Sequence, residues 1–534
     1  MFPDTQLPKR CLIEGVKTLI RTFTRSLRPF AVACVVIPWF AAPSEADEKT
    51  TKKLNVLFIV SDDLNTTVLH TYGQQAVQTP NIDRLASHGV RFDRAYCNYP
   101  VCNASRTSFL SGRFPESTKV LSNLTEPRVE LGKDYKLLPE YFKEHGYFTA
   151  GIGKIAHGRF PDSVTWDVQT DPQQNPNATA KSDEDDQTNA KGRPRKNSKN
   201  LNVDQKGGKK QRAKKRQPVE ANEGTPFPWE ATDNEDAEEP DGKTARIVAQ
   251  LIEEHKDGPF FIAAGFHKPH LPHTAPKKYF DLYPPEKIAV PNEPKDHLSQ
   301  IPEIAKNGKF HPEFTEKQVQ DTISHYFAAT TFMDAQVGIL LDTLDRLDLW
   351  KNTVVIFIGD HGWHLGEHGG YWAKVSLFEE SAKAPLIVAA PGFKPNASSA
   401  RLVEFVDIYP SLTELAGLPT PSNLEGVSFV PLLKDPATPW KKAIFTVVSR
   451  QNSLGHAVRT EKNTYIEWPD GSSQLYDYAK DPKEYVNLNK DPGHAQTVAD
   501  LKKLLSEGWN SAKPSKTGPQ ASSEISSPNL AEKE

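Results

Sequence analysis

Asp62 and Asp63 close an apolar run, Leu54-Asn55-Val56-Leu57-Phe58-Ile59-Val60, and Asp360 and His361 close another, Thr353-Val354-Val355-Ile356-Phe357-Ile358-Gly359. Such runs read as buried strands of a parallel sheet, and the C-terminal ends of those strands are where α/β folds place their sites. Adjacent carboxylates there repel and raise each other's pKa unless a cation neutralises them. A solvated turn or a helix cap would account for Asp62-Asp63 standing alone. Oxygen and nitrogen donors recur at the second strand end. Cys102 and Arg106, four residues apart, would share one face of a helix. The guanidinium is a permanent charge suited to anionic oxygens. On its own the cysteine is most simply a buried thiol near a helix start.

The elements that must position these residues follow from pattern. Asn81 to Gly89 reads as a helix with Pro80 before it and Gly89 as its stop, and Leu137 to His145 as another, ended by Gly146. Tyr147-Phe148-Thr149-Ala150-Gly151-Ile152-Gly153 is a strand that delivers Lys154 and His157 to the same end of the sheet as Asp62. Phe260 to Gly265 is a further strand, followed by Phe266-His267-Lys268-Pro269-His270-Leu271-Pro272-His273. The prolines hold that segment extended and scatter its three histidines, so His267, first off the strand, is expected to reach the site. Ile323 to Trp350 has the spacing of an amphipathic helix packed on the sheet, and Pro385 to Ala390 is one more strand.

A chain of 534 residues, 37% hydrophobic, can bury a large core in more than one domain. Its net charge of −3 gives no global field for nucleic acid. Residues 1–46 read as an export signal: Lys9, Arg10, Lys17, Arg21, Arg25 and Arg28 precede the apolar Phe30–Ala42, and Ser44-Glu45-Ala46 is a small-x-small cleavage site. The apolar stretch is too short to span a membrane. An uncleaved anchor, or a lipoprotein through Cys34, is the alternative. Loss of the signal removes Cys11 and Cys34 and leaves Cys97 and Cys102, which in an exported protein could pair.

Within a main domain over residues 52–440, residues 171–240 read as a disordered, charged insertion. Asp183-Glu184-Asp185-Asp186 is acidic, Lys191–Arg216 strongly basic and Asp233–Glu239 acidic again, with few apolar residues to offset ordering entropy. A solvated loop is the plain reading of its basic run, and a polyanion-recruiting arm the sharper one. Residues 441–512, with antiparallel-type strands around turns and a closing helix, form a smaller C-terminal subdomain, and residues 513–534 a disordered tail.

Cys102-Asn103-Ala104-Ser105-Arg106-Thr107-Ser108-Phe109-Leu110-Ser111-Gly112-Arg113 resembles the signature of the sulfatase family of the alkaline phosphatase superfamily, with Ala104 where Pro is usual. Asp62-Asp63, Gly153-Lys154-Ile155-Ala156-His157, His267-Lys268-Pro269-His270, Ser324–Ala328, Gly359–Trp363, Leu365–Gly369 and Trp372-Ala373-Lys374 match in order, and the likeness is greatest to the iduronate-2-sulfatase type. The resemblance implies an alkaline-phosphatase-like α/β/α sandwich with a large, mostly parallel sheet and a smaller C-terminal α+β subdomain with an antiparallel sheet. It implies that Cys102 is oxidised by a formylglycine-generating or sulfatase-maturating enzyme to Cα-formylglycine, whose hydrate offers one hydroxyl to attack sulfur and another to expel sulfate. No partner would then remain for Cys97. One Ca2+ would be held by Asp62, Asp63, Asp360, His361 and residue 102. Arg106, Lys154 and Lys374 would hold the sulfate, His157 would orient or deprotonate the nucleophile, and His267, with Lys374 able to share the role, would protonate the departing sugar oxygen. Trp363 and His364 would face the sugar. The implied activity is hydrolysis of a sulfate ester on a sulfated saccharide, a uronate 2-O-sulfate first, by a periplasmic or extracellular enzyme that binds neither nucleic acid nor, once the signal is cleaved, membrane. A phosphoester or phosphonate hydrolase on the same fold, or a polysaccharide-binding protein with Cys102 unoxidised, is the alternative.

Overall fold

Alternation along the central strands sorts apolar side chains onto two faces. On β1 (Asn55–Asp62), Leu57 and Ile59 enter one buried cluster, and Val56, Phe58 and Val60 enter another on the opposite side. The computed structural model describes residues 53–173, 227–306 and 310–514. The expected export signal, the body of the charged insertion and most of the tail lie outside the described residues.

After β1 the strands in chain order are β2 (Val90–Tyr96), β3 (Phe148–Gly153), β4 (Val168–Thr170), β5 (Trp229–Thr232), β6 (Phe260–Pro269), β7 (His273–Pro276) and β8 (Thr353–Gly359). They continue with β9 (His364–Leu365), β10 (Trp372–Ala373), β11 (Leu386–Ala389), β12 (Ala397–Glu404), β13 (Ile444–Arg450), β14 (Ser453–Arg459), β15 (Asn463–Glu467) and β16 (Ser473–Asp477). Eight form the central sheet in the order β12-β2-β11-β8-β1-β6-β3-β4. Its pairs are parallel except those made by β11, which runs against both β8 and β2. Among its pairings β1 sets Val56 beside Phe261 of β6 and Val354 of β8. The C-terminal ends of β1, β3, β6 and β8 therefore open on one edge.

Helices cover both faces, giving the α/β/α sandwich that the sequence implies. Glu316–Arg346, with Thr315 accepting from the Gln318 N–H as its cap, packs on one side with Pro240–Glu254. The N-terminus of Pro80–His88 has no cap from its own preceding residue. Asp334 of the long helix supplies it, accepting from the backbone N–H groups of Asn81 and Ile82. Among the described residues no helix is long and apolar enough to cross a membrane.

The ends of the charged segment are built into the fold. Phe227 packs on Trp372, with ring centroids 5.6 Å apart, Trp229 stacks on His325 at 4.0 Å, and β5 pairs in parallel with β7. Aromatic area supplies there what the charged body lacks. At the C-terminal side, β13–β16 make an antiparallel sheet under Ala495–Glu507. Its core includes Phe114 and Val406 of the main sheet's own layers. Buried Lys441 donates to Glu404 at 2.6 Å and to both oxygens of Asp407 at 2.8 Å, tying the two parts together.

Lys441→Met is expected to cost about 3–5 kcal/mol, because it leaves two buried carboxylates without their cation. Burial already pushes the Glu404 carboxyl above its ordinary range even with Lys441 beside it. Without Lys441 it would be pushed higher, so the folded variant would hold a proton that the unfolded chain releases. Stability then falls as pH rises, and the deficit should shrink as pH is lowered. Urea unfolding of the two proteins at several pH values measures both effects.

Candidate active site

Cys102 opens the helix Cys102–Ser111, every residue of which is buried, and Gly112 ends it in a left-handed conformation with φ of 66°. The Cys102 Sγ lies 3.0 Å from Lys374 Nζ and 3.3 Å from His361 Nε2. One turn later Arg106 is 1% exposed. Its Nε donates to Asp360 at 3.0 Å and an Nη to Asp62 at 3.2 Å, while the other Nη donates to the carbonyls of Lys154 and Ile155. Lys154 Nζ donates to Asp62 Oδ2 at 2.5 Å and Lys374 Nζ to Asp63 Oδ1 at 2.7 Å. Three carboxylates from β1 and the end of β8 thus meet three cations delivered by a helix, the loop after β3 and the β9–β10 hairpin.

The charges do not divide evenly. Burial alone would raise the Asp62 carboxyl, but Lys154, His270, Arg106 and Lys374 hold it well below the ordinary range. Asp63 goes the other way: burial, reinforced by Asp62 and Asp360, pushes it well up despite Lys374. Its Oδ2 is buried without a hydrogen-bond donor, and its backbone sits at φ of 61°, a conformation that non-glycine residues keep only where surroundings enforce it. His361 is driven down to about 4, chiefly by burial, and is therefore neutral. Its Nδ1 donates to the Gly362 carbonyl at 2.9 Å, which leaves the Nε2 lone pair facing Asp63 and Cys102. Asp62, Asp63, Cys102 and His361 can each offer one ligand atom with all four atoms within 4.8 Å of one another. An orphaned carboxylate oxygen, a carboxyl pushed up for want of positive charge and an aimed imidazole lone pair fit a hard cation.

The sulfatase family model matches residues 54–418, well over half of the chain. The chain belongs to the sulfatase family. A second model, described as the C-terminal part of N-sulphoglucosamine sulphohydrolase, matches residues 366–510. A sulfatase of Formosa agariphila is 33% identical over 470 residues, covering 86% of this chain and 87% of its own. Iduronate 2-sulfatase of Homo sapiens is 32% identical over 427 residues, 71% of this chain and 72% of that one. The solved structure of BT4656 in complex with its substrate D-glucosamine-2-N,6-O-disulfate shares the fold with a TM-score of 0.66 at 20% identity, covering 85% of this chain and 97% of that one. The sulfatase is accordingly a hydrolase of sulfuric esters.

Not every residue expected at its site is there. Cys102, Arg106, Lys154, Lys374, Asp62, Asp63, Asp360 and His361 converge as described. His157 is buried and neutral, lowered by burial and by Lys154 and Arg106. His267, expected first off its strand, is still inside β6, and its Nε2 is held by Asp171 at 3.1 Å. His270 turns back instead and brings Nε2 to 3.7 Å from Asp63 Oδ2. His273 is buried against the Tyr326 ring. Trp363 does not face outward: it is 1% exposed and lies beneath the site, with Lys374 Nζ 5.6 Å from its ring centroid. His364 points away, donating to or accepting from Ser376 Oγ at 2.7 Å, and burial lowers it to about 3. Both side chains are buried in this structure. Tyr326, whose hydroxyl donates to the Asp63 carbonyl, and Ser105, which donates to that of Asp360, support the carboxylates; both lie in matching stretches of the sequence but were given no role there.

Cys97 and Cys102 are both free, so the disulfide alternative is not realised. Burial pushes the Cys97 thiol far above its usual range. Cys97 should therefore resist a thiol reagent in the folded enzyme and react only after denaturation. Peptide mapping of alkylated protein with and without denaturant checks this.

Proposed function

We propose that this enzyme is an exported, calcium-dependent sulfatase that hydrolyses a uronate 2-O-sulfate, iduronate first, on a sulfated polysaccharide or oligosaccharide. Residue 102 would act after oxidation to Cα-formylglycine by a separate formylglycine-generating or sulfatase-maturating enzyme. The observation that carries the reading is the setting of Cys102. Burial keeps its thiol protonated and a poor nucleophile, while Lys374, Arg106 and Lys154 gather around it as an anion would require. The 32% identity to iduronate 2-sulfatase supports the choice of sugar. Export rests on the character of residues 1–46.

Asp62, Asp63, Asp360 and His361 would hold the calcium, which supplies Lewis-acid polarisation of a sulfate oxygen and lowers the pKa of a neighbouring hydroxyl. Formylglycine hydrate would supply a hydroxyl to attack sulfur and a second hydroxyl whose deprotonation releases sulfate. The chain's own side chains do the rest. Arg106 keeps its charge because Asp360 and Asp62 hold it above its ordinary range against burial. Lys154 and Lys374, each resting on a carboxylate, neutralise the sulfate oxygens. Neutral His157 can accept a proton. His270, facing Asp63, is better placed than His267 to protonate the departing sugar oxygen.

Turnover of 2-O-sulfated uronate oligosaccharides by enzyme from its exporting host, beside aryl sulfate and aryl phosphate, tests the reading. Sulfate release from the uronate is expected, with the aryl phosphate much poorer. Chelation should abolish turnover and lower the melting temperature, and Ca2+ should restore both. Full activity after exhaustive chelation would contradict the metal assignment. Lys374→Ala should lower kcat by about 10²–10³-fold, the scale of losing one preorganised charge-stabilising group.

A further inference from the structure

Lys374 follows directly on β10, between Ala373 at φ of 62° and Val375 at φ of 71°. A β-branched residue in the left-handed region is a steric outlier that the surroundings must enforce. The β9–β10 ladder is only two residue pairs long, Leu365 with Trp372 and His364 with Ala373. So short a hairpin does not hold itself.

The restraint lies at its turn. His368 is fully buried and itself has a φ of 53°. Its Nε2 is 3.0 Å from Glu380 Oε2, and its Nδ1 is 2.8 Å from His297 Nε2. His297 Nδ1 in turn lies 2.7 Å from the Tyr485 carbonyl oxygen. The His368 ring stacks on Phe378 with centroids 3.9 Å apart, and the backbone N–H groups of His368 and Gly369 both donate to Glu293. The protons fall in one consistent order. A carbonyl only accepts, so His297 carries its proton on Nδ1 and accepts at Nε2. His368 must then donate from Nδ1 to His297 and, facing a carboxylate, from Nε2 to Glu380. The surroundings agree: burial would lower His368, but Glu380 raises it, whereas burial and His368 lower His297.

We propose that His368, clamped between Glu380 and His297, is a positioning residue for Lys374: it fixes the turn from which the strained Ala373–Val375 segment delivers Nζ against Cys102 and Asp63. The effect on rate rests on the role given above to Lys374, whereas the effect on geometry does not.

The test uses the full-length protein in two variants, His368→Gln and His297→Phe, the latter leaving His368 in place but removing its acceptor. His297→Gln, whose amide oxygen can still accept, is the rescue. Amine labelling by reductive methylation, read by mass spectrometry at Lys374 and Lys154, accompanies kcat and KM for an aryl sulfate. His368→Gln and His297→Phe should raise labelling of Lys374 while Lys154 stays protected, and His297→Gln should restore protection. In the same variants kcat should fall by about 10–100-fold with KM changed less than about threefold, as expected for a misplaced catalytic group rather than lost ground-state binding. Unchanged Lys374 labelling in both disruptive variants would overturn the proposal. So would Lys374 and Lys154 becoming reactive together without rescue, since that is general loosening. A wild-type protein inactive on every sulfate ester would sink the functional reading, and the labelling ratio would still decide this one.

Discussion

Asp62, Asp63 and Asp360 are completely buried at the ends of two neighbouring parallel strands, where carboxylates repel one another unless cations or protons neutralise them. The chain answers from three directions. Arg106 comes from the helix after β2, Lys154 from the loop after β3, and Lys374 from the hairpin after β8. Arg106 also takes the carbonyls of Lys154 and Ile155, so one guanidinium joins β1, β8, the Cys102 helix and the β3 loop. Packing that positions residue 102 and charge balance that stabilises the sheet edge are the same set of contacts. Asp63 remains short of positive charge even so, which is where the fit to a metal ion arises.

The strands and their polar ends were legible because a parallel sheet buried on both faces must be written as continuous apolar runs. Thr353–Gly359 coincides with β8, and Cys102 and Arg106 share one helix as their spacing predicts, although it was the motif around them and not the spacing that marked them as a site. Legibility stops where direction depends on where a strand ends. β6 continues four residues beyond Gly265, through the histidine thought to leave it, so His267 stays within the strand, at the point where its register against β1 shifts, and His270 faces the carboxylates. Loop position likewise says nothing of side-chain direction, and Trp363 and His364 turn inward to pack under Lys374 and against Ser376. Charge density misplaced the edges of the insertion, since Phe227 and Trp229 anchor a stretch that composition assigned to it. The antiparallel course of β11 leaves no trace in a four-residue apolar strand.

The C-terminal sheet is part of the same compact unit as the catalytic layers. Lys441 binds Glu404 and Asp407 across the junction, and His297 reaches from the Tyr485 carbonyl to the turn of the Lys374 hairpin. The side of the molecule farthest along the sequence from Cys102 therefore shares in holding one of the three cations that face it.

The central claim is that residue 102 is not a thiol when the enzyme works. Mass spectrometry of the tryptic peptide carrying residue 102, from protein made in its native host and trapped with a hydrazide, tests it most directly. The account predicts an aldehyde at that position. An intact thiol in catalytically active protein would contradict it.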